Sequence, residues 1–306
     1  VKVMGAEVLI AAPRPPWLNY LRAVELGGWR DLSLDFAVIG FDNCGTTSMH
    51  RNLARHPGIA FTADDEDSFF QSNRLLPARH VIAEFNRRRA LVARGMKYGL
   101  YDSNILGSRH ALHQLRRIPG LTLVVVVCDP LGRFEKRIYK HLWCERRHDR
   151  AQRGNSTAAA SPAPCLRSMS ESLAHLDRDR MGPRLLEARA LFEGHLVVVH
   201  QALLRIRPGA VYDAVARLLG VGPFPAGSEF HRFNSVKGHR TDLCRNASLV
   251  QLLKCHLRSD YDAVEAAVRG SGWPLPTEAL HRVTRCERPE ELGALDVRCD
   301  DKRLCE

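Results

Sequence analysis

Phe36-Ala37-Val38-Ile39-Gly40, running on into Phe41-Asp42-Asn43-Cys44-Gly45-Thr46-Thr47, is the stretch on which the fold turns. Four apolar residues that stop at a glycine read as a short buried strand. The next five residues form a turn, and Thr47 to His56 shows helical spacing. A strand, a glycine-bearing turn and a helix in that order aim backbone N–H groups and a positive helix end at one point, a natural seat for a phosphate-like anion. The segment nearly satisfies the phosphate-loop pattern G-x-x-x-x-G-K-[ST], with Thr46 in place of the lysine. A nucleoside triphosphatase needs that lysine on its terminal phosphates, so the substitution argues against an ATPase or kinase.

Outward from this loop, strands alternate with helices. Tyr98–Tyr101 and His195–His200 read as strands, and the β-branched run Leu121–Val127 reads as a strand buried on both faces, as in a parallel sheet. Helical patterns cover His110–Ile118, residues 131–147 (strongly basic), 169–192, 209–219 behind Pro208, and 248–268. The expected fold is α/β, a P-loop-like three-layer arrangement with a mostly parallel central sheet flanked by helices. Residues 1–34 form an irregular N-terminal segment. The α/β domain spans 35–275, with a flexible Ser/Ala/Pro-rich loop at 151–167, and 276–306 is a cysteine-containing tail.

Composition narrows the function classes. The 306 residues are 45% hydrophobic and 26% charged, with 22 Gly and 16 Pro, which excludes low-complexity and collagen-like chains. The longest apolar run, Leu123–Cys128, is too short to span a bilayer. The chain opens on Val1 rather than Met, so it is silent on a trimmed leader or membrane anchor. A net charge of +11 favours an anionic partner, while the absence of aromatics interleaved with basic residues disfavours nucleic acid. The nine cysteines show no zinc-finger spacing, and the histidines no metal-ligand grouping; no metal is expected. Cys144 and Cys165 beside a loop, and Cys286, Cys299 and Cys305 in the tail, suit disulfides in an oxidising compartment, with scattered thiols in a reduced cytosol as the alternative. Asn155-Ser156-Thr157 and Asn246-Ala247-Ser248 are glycosylation sequons, which favour a secretory lumen.

From Gly40 to Pro57 the chain reads GFDNCGTTSMHRNLARHP. This resembles the first loop, roughly G-x-x-K-x-G-T-T with a following helix and His-Pro, of sulfotransferases that use 3′-phosphoadenosine 5′-phosphosulfate (PAPS), especially the heparan-sulfate and glycan branch. Glu66-Asp67-Ser68-Phe69-Phe70 is similar to that family's E-x-H-F-F element. Leu121–Lys136 is similar to the strand ending in R-D-P-x-x-R-x-x-S. His195–Leu219, Lys237-Gly238-His239-Arg240 and Trp273 resemble later family elements in the same order. The resemblance covers about residues 36–275. It implies transfer of a sulfuryl group from PAPS, without a metal, to a hydroxyl or amine of a glycan or other anionic or hydroxylated acceptor, in the Golgi lumen or secretory pathway.

The resemblance also assigns roles. Asn43, Cys44, Gly45, Thr46, Thr47 and Ser48 cradle the 5′-phosphosulfate, and Glu66 takes the acceptor's proton. Arg133, Lys136, Lys237, Gly238, His239 and Arg240, with Cys128 at the strand end, surround the 3′-phosphate and adenosine. Four positions depart from the family pattern: Asn43 replaces the loop lysine, Cys128 the first arginine of the 3′-phosphate element, Lys136 its closing serine, and Ser68 the histidine before the two phenylalanines. Losing a charge-assisted bond to an anion costs about 1–3 kcal/mol, roughly 5- to 150-fold in rate if it falls on the transition state. Two alternatives stand beside an active enzyme: a catalytically impaired descendant that binds nucleotide or anionic glycan, and a P-loop kinase.

Overall fold

The structure, a computed structural model, describes residues 28–67, 79–140, 180–233, 253 and 256–271. Its centre is a sheet of five strands: β1 (Phe36–Gly40), β2 (Ile59–Phe61), β3 (Lys97–Asp102), β4 (Thr122–Val127) and β5 (Leu196–His200). Their order is β2-β3-β1-β4-β5, and every pairing is parallel. The fully parallel sheet needs a covered face on both sides, and the sequence supplies it: β1 and all but the first residue of β4 are buried. A buried valine or leucine stabilises by roughly 1.5–3 kcal/mol, so the Leu-Val-Val-Val-Val run of β4 anchors the sheet.

Eight helices flank the strands among the described residues: α1 (Thr46–Leu53), α2 (Arg79–Leu91), α3 (Arg109–Leu115), α4 (Pro130–Lys140), α5 (Met181–Leu191), α6 (Gln201–Ile206), α7 (Pro208–Leu218) and α8 (Arg258–Arg269). The expected α/β class is what the structure shows. Three elements had no clear sequence signal: the three-residue β2, the arginine-rich α2, which among its described side chains buries Ile82 and Phe85 into the core, and the short α6. The core begins before residue 35, since Leu32 and Leu34 are buried in it. The loop at 151–167, the tail at 276–306 and both sequons lie outside the described residues.

Strand order places the site. β1 has β3 on one side and β4 on the other, so the chain reverses its direction of travel across the sheet at β1. In open α/β sheets the crevice beyond the carboxyl ends of the strands at such a reversal is where ligands bind. The Phe41–Gly45 turn stands there.

Candidate functional site

The turn after β1 is set by backbone geometry. Asn43 has φ 67° and Gly45 φ 100°, both left-handed, on either side of Cys44. Asparagine tolerates that region and glycine enters it without strain. A Cβ on Gly40 would fall 2.9 Å from the Val126 carbonyl oxygen, so the close approach of β1 and β4 demands glycine. Gly45 caps α1, no side chain caps the helix in its place, and its first turn holds no acidic residue. Helix geometry gives the first-turn N–H groups of Thr46, Thr47 and Ser48 no intrahelical acceptor. This is an anion seat by construction.

Three ties fix the turn to the segment beyond β4. Cys44 and Cys128 form a disulfide across 84 residues. Arg133 Nη2 donates to Asp42 Oδ1 at 2.6 Å, and its guanidinium lies over the Phe41 ring. Lys136 Nζ donates to the Asn43 carbonyl at 3.2 Å. Arg133 and Lys136 stand one turn apart on α4, whose start is held by Asp129 accepting from the Gly132 N–H. The Asn43 amide donates to Asp42 Oδ2 at 3.0 Å.

Above the turn opens a cavity of about 480 Å³. One wall carries Asn43, Gly45, Thr46, Thr47 and Ser48, with Lys136 at its edge. A second wall comes from α6, α7 and the segment 229–233. It presents Gln201, Arg205, Tyr212, Phe230, Arg232 and Phe233. Tyr212 and Phe230 stack at 4.7 Å, and Phe224 meets both edge-on. The buried Asn52 of α1 joins the walls: its carboxamide donates to the His231 carbonyl at 2.8 Å and accepts the His231 N–H at 3.0 Å. Ser48 Oγ accepts the Phe233 N–H at 3.0 Å, and the Tyr212 hydroxyl donates to the Ser48 carbonyl.

The second wall is cationic. Arg205 Nη2 donates to Gln201 Oε1, a neutral partner, and among the described residues no carboxylate pairs with Arg205 or Arg232. Burial, and then the Arg232 guanidinium, pull Arg205 below the usual arginine value. Two guanidiniums that line one cavity and repel each other are stabilised by a bound anion.

Glu66 lies beside this cavity rather than in its lining. Its carboxylate accepts from both the N–H and the hydroxyl of Ser103. Tyr101 connects it to α1: the Tyr101 and Thr47 hydroxyls share a 3.0 Å hydrogen bond, and the same phenol interacts with Thr46 and Glu66. Burial is the main reason the Tyr101 phenol is raised above its ordinary value.

Of the residues singled out in the sequence, Asn43, Gly45, Thr46, Thr47, Ser48 and Lys136 come together around one cavity. Cys44 and Cys128 are turned to each other, so Cys128 offers a ligand no side-chain group. Arg133 is spent on Asp42 and does not line the cavity. Lys237, Gly238, His239, Arg240 and Trp273 lie outside the described residues, although Phe233, four positions before Lys237, is in the wall. Sequence reading missed Asn52, Gln201, Arg205, Tyr212, Phe230, Arg232 and Phe233. The spaced aromatics Phe224, Phe230 and Phe233 in an otherwise Gly/Pro-marked loop were the one available signal. Among the described residues no three His, Cys, Asp or Glu side chains gather as a metal site, and no helix is long and apolar enough to cross a membrane.

No family model matches the chain, and no curated protein matches it in sequence. Solved structures do. A sulfotransferase from Alicyclobacillus acidocaldarius superposes with a TM-score of 0.55, at 16% identity, over 82% of this chain and 99% of that one. A sulfotransferase domain from the curacin biosynthetic pathway matches at TM-score 0.42, with 11% identity over 82% of this chain and 96% of that one. A mouse sulfotransferase complexed with PAP matches at 0.39, with 12% identity over 80% and 89%. The first likeness shows the architecture: the chain has the α/β fold of a sulfotransferase.

Proposed function

We propose that the chain is a sulfotransferase that moves a sulfuryl group from PAPS to a hydroxyl or amine of a glycan or other acceptor. The observation that carries this reading is the α1 N-terminus, capped only by left-handed Gly45, opening onto a cavity whose lining includes Lys136, Arg205 and Arg232. A ligand that carries more than one anionic group and an aromatic ring fits such a site. Lys136, Arg205 and Arg232 supply the cations, and Tyr212, Phe230 and Phe233 the aromatic surface.

Sulfuryl transfer asks the protein to align donor and acceptor and to stabilise charge on the departing oxygen. In this reading the N–H groups of Thr46, Thr47 and Ser48 hold the phosphosulfate. Lys136, tied to the Asn43 carbonyl, stands as the cation next to the loop in which the family lysine is replaced. Glu66, one phenol away from Thr47 through Tyr101, accepts the acceptor's proton. Arg205 and Arg232 take over the second anion from Arg133, which Asp42 neutralises.

One observation favours a second reading, a binding protein without turnover: the Asn43 amide is engaged by Asp42, which leaves the loop without a cation of its own. Calorimetric titration with 3′-phosphoadenosine 5′-phosphate against ATP tests the site, and transfer of labelled sulfate to a panel of glycans and small alcohols tests the reaction. Tight binding of the bisphosphate with transfer supports the enzyme. Binding with a repeated blank supports the second reading, and preference for ATP overturns both.

A further inference from the structure

The proposed transfer makes no use of the Cys44–Cys128 bond. Its position is specific. Cys44 is the middle residue of the anion turn, between the two left-handed positions Asn43 and Gly45. Cys128 directly follows β4 and precedes Asp129, the residue that holds the start of α4. The bond therefore joins the two segments that carry the two parts of one anion seat: the α1 amides on one side and Lys136 on the other. The Arg133–Asp42 pair and the Lys136–Asn43 bond run beside it. Of these three ties the disulfide alone is covalent, and it alone answers to thiols.

Both cysteines are buried, Cys44 at 0% and Cys128 at 3% exposure. Exchange needs a thiolate to reach one of the sulfurs, so the Phe41–Gly45 turn must lift first. A left-handed asparagine persists where its surroundings over-determine it. Removing the crosslink takes away one of those constraints and leaves the turn a wider choice.

We propose that Cys44–Cys128 is a reversible thiol–disulfide modification site. Oxidised, it holds the anion turn in its binding arrangement; reduced, it releases the turn. The effect on nucleotide affinity rests on the reading of the cavity given above. The chemistry is exchange with a dithiol. One thiolate of the reductant attacks a cysteine sulfur, the S–S bond breaks, and the second cysteine leaves as a thiolate that takes up a proton. The reductant's other thiol then displaces the first cysteine and closes a cyclic disulfide. The protein gains two electrons and two protons, and the dithiol loses the same. The consequence is dependence on compartment: the seat is set where thiols are oxidised and loose where they are kept reduced.

The test titrates the intact chain with 3′-phosphoadenosine 5′-phosphate before and after dithiothreitol, with the state of the pair read by mass spectrometry of the linked peptides. Seven other cysteines also meet the reductant. Cys128→Ala, which removes this bond and leaves the turn's own sequence intact, is therefore titrated under both conditions. If the competent turn falls to a tenth of the molecules, apparent Kd rises about tenfold. Reduction is expected to weaken wild-type binding by about that factor, and reoxidation to restore it. Cys128→Ala is expected to show the weak value in both conditions. Amide hydrogen exchange at 41–48 is the readout that needs no ligand, and reduction should speed it there but not in β4.

Unchanged affinity and exchange after verified reduction overturn the proposal. So does a Cys128→Ala protein that still responds to dithiothreitol, or a pair that stays oxidised until the chain unfolds. If Cys128→Ala fails to fold, the wild-type reduction and reoxidation arms decide alone. Nucleotide that never binds, with exchange at 41–48 still responding to reduction, sinks the nucleotide reading and leaves the modification site standing.

Discussion

The two walls of the cavity are built by different means. The α1 wall is a matter of main chain: two left-handed residues, a glycine cap and a row of N–H groups, clamped from β4 and α4 by a disulfide, an ion pair and a hydrogen bond. The α6–α7 wall is a matter of side chains: a stack of Tyr212 on Phe230, an Asn52 carboxamide reaching 179 residues along the chain to His231, and two guanidiniums without a carboxylate partner among the described residues. The first wall can recognise one anionic group of almost any ligand. The second supplies the features that distinguish one ligand from another. Substitutions in the first should therefore act on all ligands together, and those in the second should act selectively.

The largest expected effect is on the main-chain wall. Gly45→Val forces a β-branched residue to φ 100° and sets its Cβ 3.1 Å from the Gln201 amide nitrogen. Backbone strain of this kind costs on the order of 1–3 kcal/mol before the contact is counted. The expected result is loss of nucleotide binding by more than about 100-fold, for bisphosphate and monophosphate alike. Calorimetry on a protein with wild-type circular dichroism checks it. Retained affinity breaks the claim that the first wall works through its backbone.

Each wall also rests on a buried histidine, and this gives the second effect. His50 stacks on Tyr101 under the α1 wall, and His200 caps α6 by accepting the Ala202 N–H under the other. Burial lowers each to about 4, with Arg205 adding to the effect at His200. The folded state disfavours the protonated form, so the unfolded chain binds more protons between pH 6.5 and pH 4. Stability is complete above pH 6.5 and is lost as pH falls through that window, by roughly 3 kcal/mol per histidine at pH 4. Urea unfolding at pH 7 and pH 4 should show the loss, and His200→Asn, which keeps a capping oxygen, should remove about half of it and leave the share of His50. A stability that stays level over this range would place both rings in contact with water.

Third comes the loop cation. Asn43→Lys puts an ammonium where a charge-assisted bond contributes about 1–3 kcal/mol, against roughly 1 kcal/mol for a lysine at φ 67°. Any sulfuryl transfer should rise, by roughly fivefold at the middle of this range and up to about 30-fold at its top, with little change in bisphosphate Kd. Unchanged or lower turnover in a sulfate-transfer assay counts against the placement of Asn43 at the transferring group.

This division explains what was legible in the sequence. β1, the turn, α1 and β4 are written in local terms: β-branched runs, glycines at forced positions and a helical period. They could be read from a few consecutive residues. β2 and α6 are too short to show a period, and the Arg87-Arg88-Arg89 run of α2 hides its thin apolar face. The second wall could be read only as a loop, because His231 and Phe233 owe their places to Asn52 and Ser48, some 180 residues away. Cys44 and Cys128 were visible one at a time, the first as part of the turn and the second as a replaced arginine. Nine cysteines leave the pairing open until the fold is known. The resemblance gave Arg133 to a ligand; its pairing with Asp42 depends on a three-dimensional contact across 91 residues.

The smallest effect is the most selective. Arg232 is exposed at the cavity mouth, and exposed charges contribute about 0.2–1 kcal/mol, so Arg232→Gln should weaken bisphosphate binding by only about two- to fivefold. Screening with salt should shrink the difference, because an exposed charge is screened by mobile ions. If the arginine pair holds a second anion, adenosine 5′-phosphate, which lacks one, should bind the variant and the wild type equally. Arg205→Gln should follow the same pattern with a larger loss, since its guanidinium is the more desolvated and its bond to Gln201 is broken too. An equal fall for both nucleotides would mean that the arginines act as a diffuse field over the whole mouth. The second wall would then read no particular anion, and only its aromatic stack would remain to choose the ligand.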